Sequence, residues 1–180
     1  MGTVEPIRNK TDLEKIENLF KSESYRNFVL FCTGINTGLR ISDILNLNVG
    51  DVKNKKYIKL IEQKTSKHKL LPINSKLTKI YSIYTKNKDI EEPLFITKFK
   101  YRMDRINAYN IIRKTCQKIL PELNVGTHTL RKTFGYHHYK KFKDVAMLQK
   151  IFNHSTPDVT LKYIGIEQDE IFNSYKNLIL

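Results

Sequence analysis

The chain has 180 residues, the size of one domain with its own core. With 40% apolar and 28% charged residues it reads as globular rather than disordered, and no apolar run reaches the ~18 residues of a membrane-spanning helix. Lys and Arg number 32 against 18 Asp and Glu, a net charge of +14, which points to a polyanionic partner.

The stretch Met1 to Pro6 holds no apolar segment of the kind a secretory signal needs, and Pro6 stands where a myristoylation signal would carry Ser or Thr. Cys32 and Cys116 are far apart in apolar surroundings and read as buried reduced thiols, which places the protein in a reducing, cytoplasmic compartment. Thr11-Asp12-Leu13-Glu14 has the form of a capping box ahead of Leu13, Ile16 and Phe20 at helical spacing. A second helix is expected from about Ser24, with Phe28, Phe31, Cys32 and Ile35 on one face, broken at Gly38. Arg40 then marks the turn into a short helix with Ile44 and Leu45.

The period changes in the middle of the chain. Residues 57–61 and 69–73 predict two short strands, joined by the polar hairpin 62–68, and Pro72 marks a sheet edge or a strand end. Helices resume with Ser75 as cap and Leu77, Ile80, Tyr81 and Tyr84 on one face. Another spans about Asp104 to Leu120 and stops before Pro121. Thr127 is expected to cap a helix carrying Leu130 and Phe134, and a short helix covers about Asp144 to Phe152. Thr156-Pro157 forms a cap and first helical residue for a helix reaching Tyr163. A last amphipathic helix carries Ile171, Phe172 and Tyr175. The expected fold is mainly α with a small antiparallel β-hairpin, as one domain over residues 1–180.

Four features carry chemistry. His128 and Arg131 lie one turn apart at a helix N-terminus, where a guanidinium can grip phosphate oxygens and an imidazole can move a proton near neutral pH. Arg40 stands at the Gly38 break with Asp43 three residues on, placed to hold the guanidinium. Lys64 sits in the hairpin, where a ribbon can bring an ammonium to a phosphate. Asn153-His154 is followed by Tyr163. Taken singly, each also fits a bland surface or core role.

In order and spacing, the four together resemble the catalytic domain of the tyrosine recombinase (phage integrase) family over nearly the whole chain. The matching segments are Thr37 to Leu45, Lys64-Thr65, His128 to Tyr136 and Asn153 to Ile164. The resemblance implies that fold and a catalytic set of Arg40, Lys64, His128, Arg131, His154 and Tyr163, with Asp43 behind Arg40. It implies strand cleavage through a covalent 3′-phosphotyrosyl intermediate. Tyr163 would be the nucleophile, His128 its proton carrier and Lys64 the acid for the leaving 5′ oxygen. Arg40 and Arg131 would neutralise the phosphate, and His154 would hydrogen-bond a non-bridging oxygen. No cofactor or metal is expected, since two guanidiniums can supply the cationic charge and no carboxylate cluster is present. Asn153 replaces the Gly frequent in the family, which reads as a local turn variation. The extra N-terminal DNA-binding domain of many members is expected to be missing from this chain.

The implied partner is double-stranded DNA, with a tetramer on two duplexes as the family's active assembly. The C-terminal helix would either reach a neighbouring copy or fold back on its own core, and no membrane is involved. Lys67 and Lys69 in one basic stretch and Lys100, Arg102 and Arg105 in another are the expected phosphate contacts. The rival readings are a DNA-binding regulator without chemistry, a metal enzyme using His128, His137, His138 and His154, and a type IB topoisomerase. Tyr163 with His154 and two arginines argues against the first. Lack of carboxylates at ligand spacing argues against the second. The extended matches from His128 to Tyr136 and from Asn153 to Ile164 favour the recombinase over the third.

Overall fold

The structure, a computed structural model, describes residues 3–64 and 66–178, without the side chain of Gln168. Thr65, which accompanies Lys64 in the matching segment, lies outside the described residues, as do Met1 and Gly2. The element order is α1 (Lys10–Glu23), α2 (Tyr25–Thr37), α3 (Ile41–Leu45), a 3-10 turn (Val49–Asp51), β1 (Tyr57–Ile61), β2 (His68–Pro72), α4 (Ser75–Tyr84), α5 (Arg105–Gln117), α6 (Thr127–Phe142), α7 (Val145–Phe152), α8 (Pro157–Ile164) and α9 (Ile166–Asn177). The expected mainly α fold with one hairpin is the observed one. None of these helices is long and apolar enough to cross a membrane.

Helix starts differ from expectation where two polar residues compete for the cap. Asn9, with extended backbone, caps α1 by accepting from the Thr11 amide, so Thr11 falls inside the helix. Asn74 likewise caps α4 in place of Ser75. Gly126 takes the cap position of α6, its amide donating to Thr129 Oγ1, and Thr127 becomes the first helical residue. Thr156 caps α8 as expected, and Ser24, Asp104 and Asp144, read as the starts of their helices, are the caps of α2, α5 and α7. Strands β1 and β2 are antiparallel, with Tyr57 opposite Pro72 and Ile61 opposite His68. The second strand thus begins one residue before its predicted position, and Pro72 ends it, where no ladder donor is needed.

Two cores hold the chain together. The larger joins α1 to α5: Phe20 and Phe31 stack with ring centroids 4.8 Å apart, and Leu30, Ile44, Leu77 and Ile112 belong to the same cluster. The smaller joins α6 to α9 through Tyr136, Leu148, Phe152, Ile164 and Ile166. Burying each large apolar side chain contributes roughly 1.5–3 kcal/mol. Helix α6 belongs to both: Leu130 enters the first core and Tyr136 the second. Its intervening residues therefore lie at the junction, and Arg131 is one of them.

Cys32 and Cys116 are both buried free thiols, as the sequence predicts, and burial pushes each up to about 12.

Candidate active site

Arg40 owes its place to Gly38. The glycine ends α2 at φ 62°, a left-handed conformation that costs a side-chain-bearing residue energy, and a Cβ there would run into the Phe134 ring. The chain turns sharply, and Arg40 caps α3 from extended backbone. Its Nη1 lies 3.1 Å from Glu62 Oε1 at the mouth of the hairpin. Glu62 is 3% exposed and also meets Lys69 Nζ at 3.1 Å, so one buried carboxylate serves two cations.

Asp43, expected to hold Arg40, bonds elsewhere. It is buried, and its Oδ1 accepts from the Gln63 backbone amide at 3.0 Å, which fixes the start of the hairpin loop. The i, i+3 spacing is right for a shared helix face, but α3 is one turn long and Arg40 sits outside it in extended backbone.

Arg131 is the one buried arginine among the described residues, 3% exposed. Its Nη1 donates to the Gly38 carbonyl at 2.5 Å and its Nη2 to the Phe152 carbonyl at 3.0 Å. The guanidinium carbon lies 4.3 Å from the Phe152 ring centroid. Two carbonyls and an aromatic face thus hold the guanidinium in one orientation, as buried charge requires. The same two carbonyls tie the end of α2 to the end of α7.

A cleft of about 410 Å³ opens between these elements. Arg40, Lys64, Arg105, His128 and Arg131 line it together with Ser42, Gln63 and Thr127. Five of the lining side chains are basic and none is acidic, so the cleft suits an anion of phosphodiester size. Lys64 is exposed on the hairpin loop. Arg105, the first residue of α5, lines the same cleft and is exposed.

Tyr163 and His154 approach from α8 and the turn before it. The Tyr163 hydroxyl lies 3.2 Å from His128 Nδ1. The Tyr163 ring meets the His154 ring edge-on with centroids 5.0 Å apart, packs at 5.6 Å against Phe152, and lies 5.1 Å from Lys132 Nζ. Burial pushes its phenol above the ordinary value, while Arg131 and Arg40 pull it partly back. His128 is held below the ordinary imidazole range by burial first, then by Arg131, Lys132, Arg105 and Arg40. His154 is lowered by burial and then by the same two site arginines.

The His154 ring is fixed by a residue outside the predicted catalytic set. Its Nδ1 lies 3.1 Å from Thr160 Oγ1, and that hydroxyl donates its own hydrogen to the Thr156 carbonyl. Thr160 is therefore the acceptor, Nδ1 carries the hydrogen, and Nε2 is the unprotonated nitrogen of the neutral ring. Thr160 stands three residues before Tyr163, one turn away on the same helix, which is the signal that could have found it. Glu62 had no such signal, because its pairing depends on how the hairpin folds over α3. His137, by contrast, is turned away from the site, with its Nε2 3.0 Å from the Ile7 carbonyl.

The remaining predicted DNA contacts divide. Lys69 faces inward, its Nζ donating to Glu62 and to the Ile151 carbonyl at 2.8 Å. Arg102 is drawn to the Leu45 and Leu47 carbonyls and to Asn48 Oδ1, where it satisfies chain ends after α3. Both have internal bonds that a solvated lysine or arginine would lack. Lys100 is exposed at φ 64° in the turn between Ile96 and Arg102. Lys67 is exposed and donates to Asn153 Oδ1 at 2.7 Å.

Asn153, where the family often has Gly, ends α7 at φ 54°, ψ 48°. Asn tolerates that conformation better than most residues, so the turn is kept.

Residues 9–170 match the Phage integrase family. A Bacillus subtilis (strain 168) protein named probable integrase/recombinase YoeC is 43% identical over 178 residues, covering 98% of this chain and 97% of that protein. A probable integrase/recombinase of Acholeplasma phage L2 is 30% identical over 173 residues, covering 92% of this chain and 59% of the relative. Among solved structures, a XerA recombinase superposes with TM-score 0.74 at 19% identity, over 99% of this chain and 66% of its own. A XerH site-specific recombinase in a post-cleavage complex with a palindromic difH substrate gives 0.70 at 18%, over 91% and 50%. The chain thus spans almost all of one relative and one half to two thirds of the others. The structural likenesses carry the fold, the sequence matches carry the kinship, and the chain belongs to the phage integrase family, the tyrosine recombinases.

Proposed function

We propose that this chain is a site-specific DNA recombinase that cuts and rejoins strands of double-stranded DNA through a covalent 3′-phosphotyrosyl intermediate, without a metal or other cofactor. One observation carries the reading. A phenol, an imidazole 3.2 Å from it and two guanidiniums converge beside one cleft lined by basic side chains.

The Tyr163 phenol is protonated at rest because burial outweighs the nearby guanidiniums. It needs a base at the moment of attack, and His128, neutral near pH 7, is in reach. The Tyr163 oxygen attacks phosphorus as its proton passes to His128. The bond from phosphorus to the 5′ oxygen breaks, and Lys64 supplies that oxygen with a proton. Arg40 and Arg131 stabilise the charge on the non-bridging oxygens. His154 turns Nε2 toward them, and the bound anion favours the protonated ring that can donate there. Arg105, which lines the same cleft, adds positive field. The 5′-hydroxyl of another strand then attacks the phosphotyrosine, reverses the proton transfers and releases Tyr163.

Lys100 adds a phosphate contact beside the duplex. Phe172 and Tyr175 on α9, and Leu178 just after it, are 64–80% exposed. This apolar face supports docking of α9 on a second copy in a tetramer on DNA, rather than folding back on its own core. Two buried thiols and a DNA substrate fit a cytoplasmic location.

The test uses nicked duplexes randomised across the core. Wild-type protein should yield a covalent adduct resistant to denaturation, Tyr163→Phe none, and a chelator should leave the yield unchanged. Equal adduct from both proteins would refute the nucleophile.

A further inference from the structure

The hairpin that carries Lys64 is fastened to the end of α7 by two lysines of its second half. Lys69 Nζ donates to the Ile151 carbonyl at 2.8 Å, and Lys67 Nζ to Asn153 Oδ1 at 2.7 Å. The first contact is the usual attraction of a cation to unpaired carbonyls at a helix C-terminus. The second depends on one side chain. At φ 54° glycine would serve the turn equally well, but only a residue with a side-chain oxygen gives Lys67 an acceptor.

Within the loop, the Glu62 amide donates to the Lys67 carbonyl at 3.0 Å and the Ser66 amide to the Glu62 carbonyl at 2.8 Å. These bonds tie Lys67 and Ser66 to Glu62, two residues before Lys64, so fixing Lys67 fixes the ends from which Lys64 is carried. Asn153 also directly precedes His154, and α8 with Tyr163 follows. The latch joins the segment carrying the proposed leaving-group acid to the segment carrying the nucleophile.

We propose that Asn153 is a positioning residue that, through Lys67, holds the hairpin loop so that Lys64 stands over the scissile phosphate. This rests on the reading of Lys64 as the acid that protonates the 5′ oxygen. In that step the phosphorus–oxygen bond breaks, its electron pair goes to the oxygen, and the Lys64 ammonium gives up one proton. With a 5′-bridging sulfur, the departing thiolate needs no proton, so correct placement of Lys64 no longer matters.

The experiment is single-turnover cleavage at saturating protein, on a nicked duplex recovered from the randomised pool as a wild-type adduct. It is made once with the natural 5′ oxygen and once with 5′-bridging sulfur. Asn153→Gly, which suits the left-handed turn and keeps the fold, should cleave the oxygen substrate about three- to tenfold more slowly, the scale of one exposed charge-assisted hydrogen bond. It should match wild type on sulfur. Asn153→Asp, which keeps an acceptor, should retain the wild-type rate on both. Lys67→Met should reproduce the Asn153→Gly loss, and the double variant should lose no more.

An unchanged Asn153→Gly rate on oxygen, or an equal loss on oxygen and sulfur, would overturn the proposal. Lys64→Ala separates the two levels. If sulfur rescues it, Lys64 stands as the acid, and the Asn153 variants alone decide the latch. If sulfur fails to rescue it, the acid reading falls and the latch with it.

Discussion

His128 Nδ1 lies 3.2 Å from the Tyr163 hydroxyl although 35 residues separate them in the chain. The contact places an imidazole against a phenol that burial keeps protonated. It exists because α8 packs back on α6, with Thr156-Pro157 starting α8 and left-handed Gly165 ending it.

This pair sets a pH dependence. The His128 imidazole is lowered below its ordinary 6.5, mainly by burial and then by Arg131, Lys132, Arg105 and Arg40. A base works when neutral, so cleavage should be level through neutral pH and fall only as pH drops through that lowered value. His128→Ala should lower single-turnover cleavage about 100-fold or more and abolish this acid limb. A pH–rate profile of both proteins checks the sign.

Thr160 should matter without touching DNA. Thr160→Val keeps the shape but removes the acceptor of His154 Nδ1. Cleavage should fall about tenfold with unchanged DNA affinity, as when the partner orienting a site histidine is removed. Binding and cleavage measured on the same duplex separate the two.

Glu62 should matter for stability as well as activity. Glu62→Gln leaves Arg40 and Lys69 facing one another without their shared counter-charge. The loss should be about 2–3 kcal/mol, below that of a fully buried pair because both cations are partly exposed. Thermal unfolding should show it as a fall of roughly 4–12 °C for a domain of this size.

Gly135 sets how closely α6 lies against α7 and α8. A Cβ there would come within 2.6 Å of Ile164 and 2.7 Å of Phe152. Gly135→Ala should destabilise by about 1–2 kcal/mol, overpacking exceeding the gain in helix propensity. Because Phe152 also carries the carbonyl that holds Arg131, adduct yield should fall too.

Much of this was legible in the sequence because the information is local. Gly38 before Arg40, Thr156-Pro157 before Tyr163 and the change of period at Tyr57 each act within a few residues. The contacts missed are those made only when distant segments meet. Asp43 has helical spacing from Arg40, yet the fold turns it to Gln63 and brings Glu62 to Arg40 instead. Lys69 and Arg102 belong to basic stretches that read as DNA contacts. Composition cannot reveal that the carbonyls of Ile151, Leu45 and Leu47 accept their hydrogen bonds. The choice of Asn9 over Thr11 as a cap turned on backbone angles, which residue type alone does not fix.

The most direct measurement of the central claim is the chemical identity of the adduct. Wild-type protein trapped on a nicked duplex, digested with nuclease and protease and examined by mass spectrometry, should carry a nucleotide 3′-phosphate on the Tyr163 peptide, with a free 5′-hydroxyl on the released strand. A nucleotide on any other residue, or a linkage through a 5′-phosphate, would contradict it.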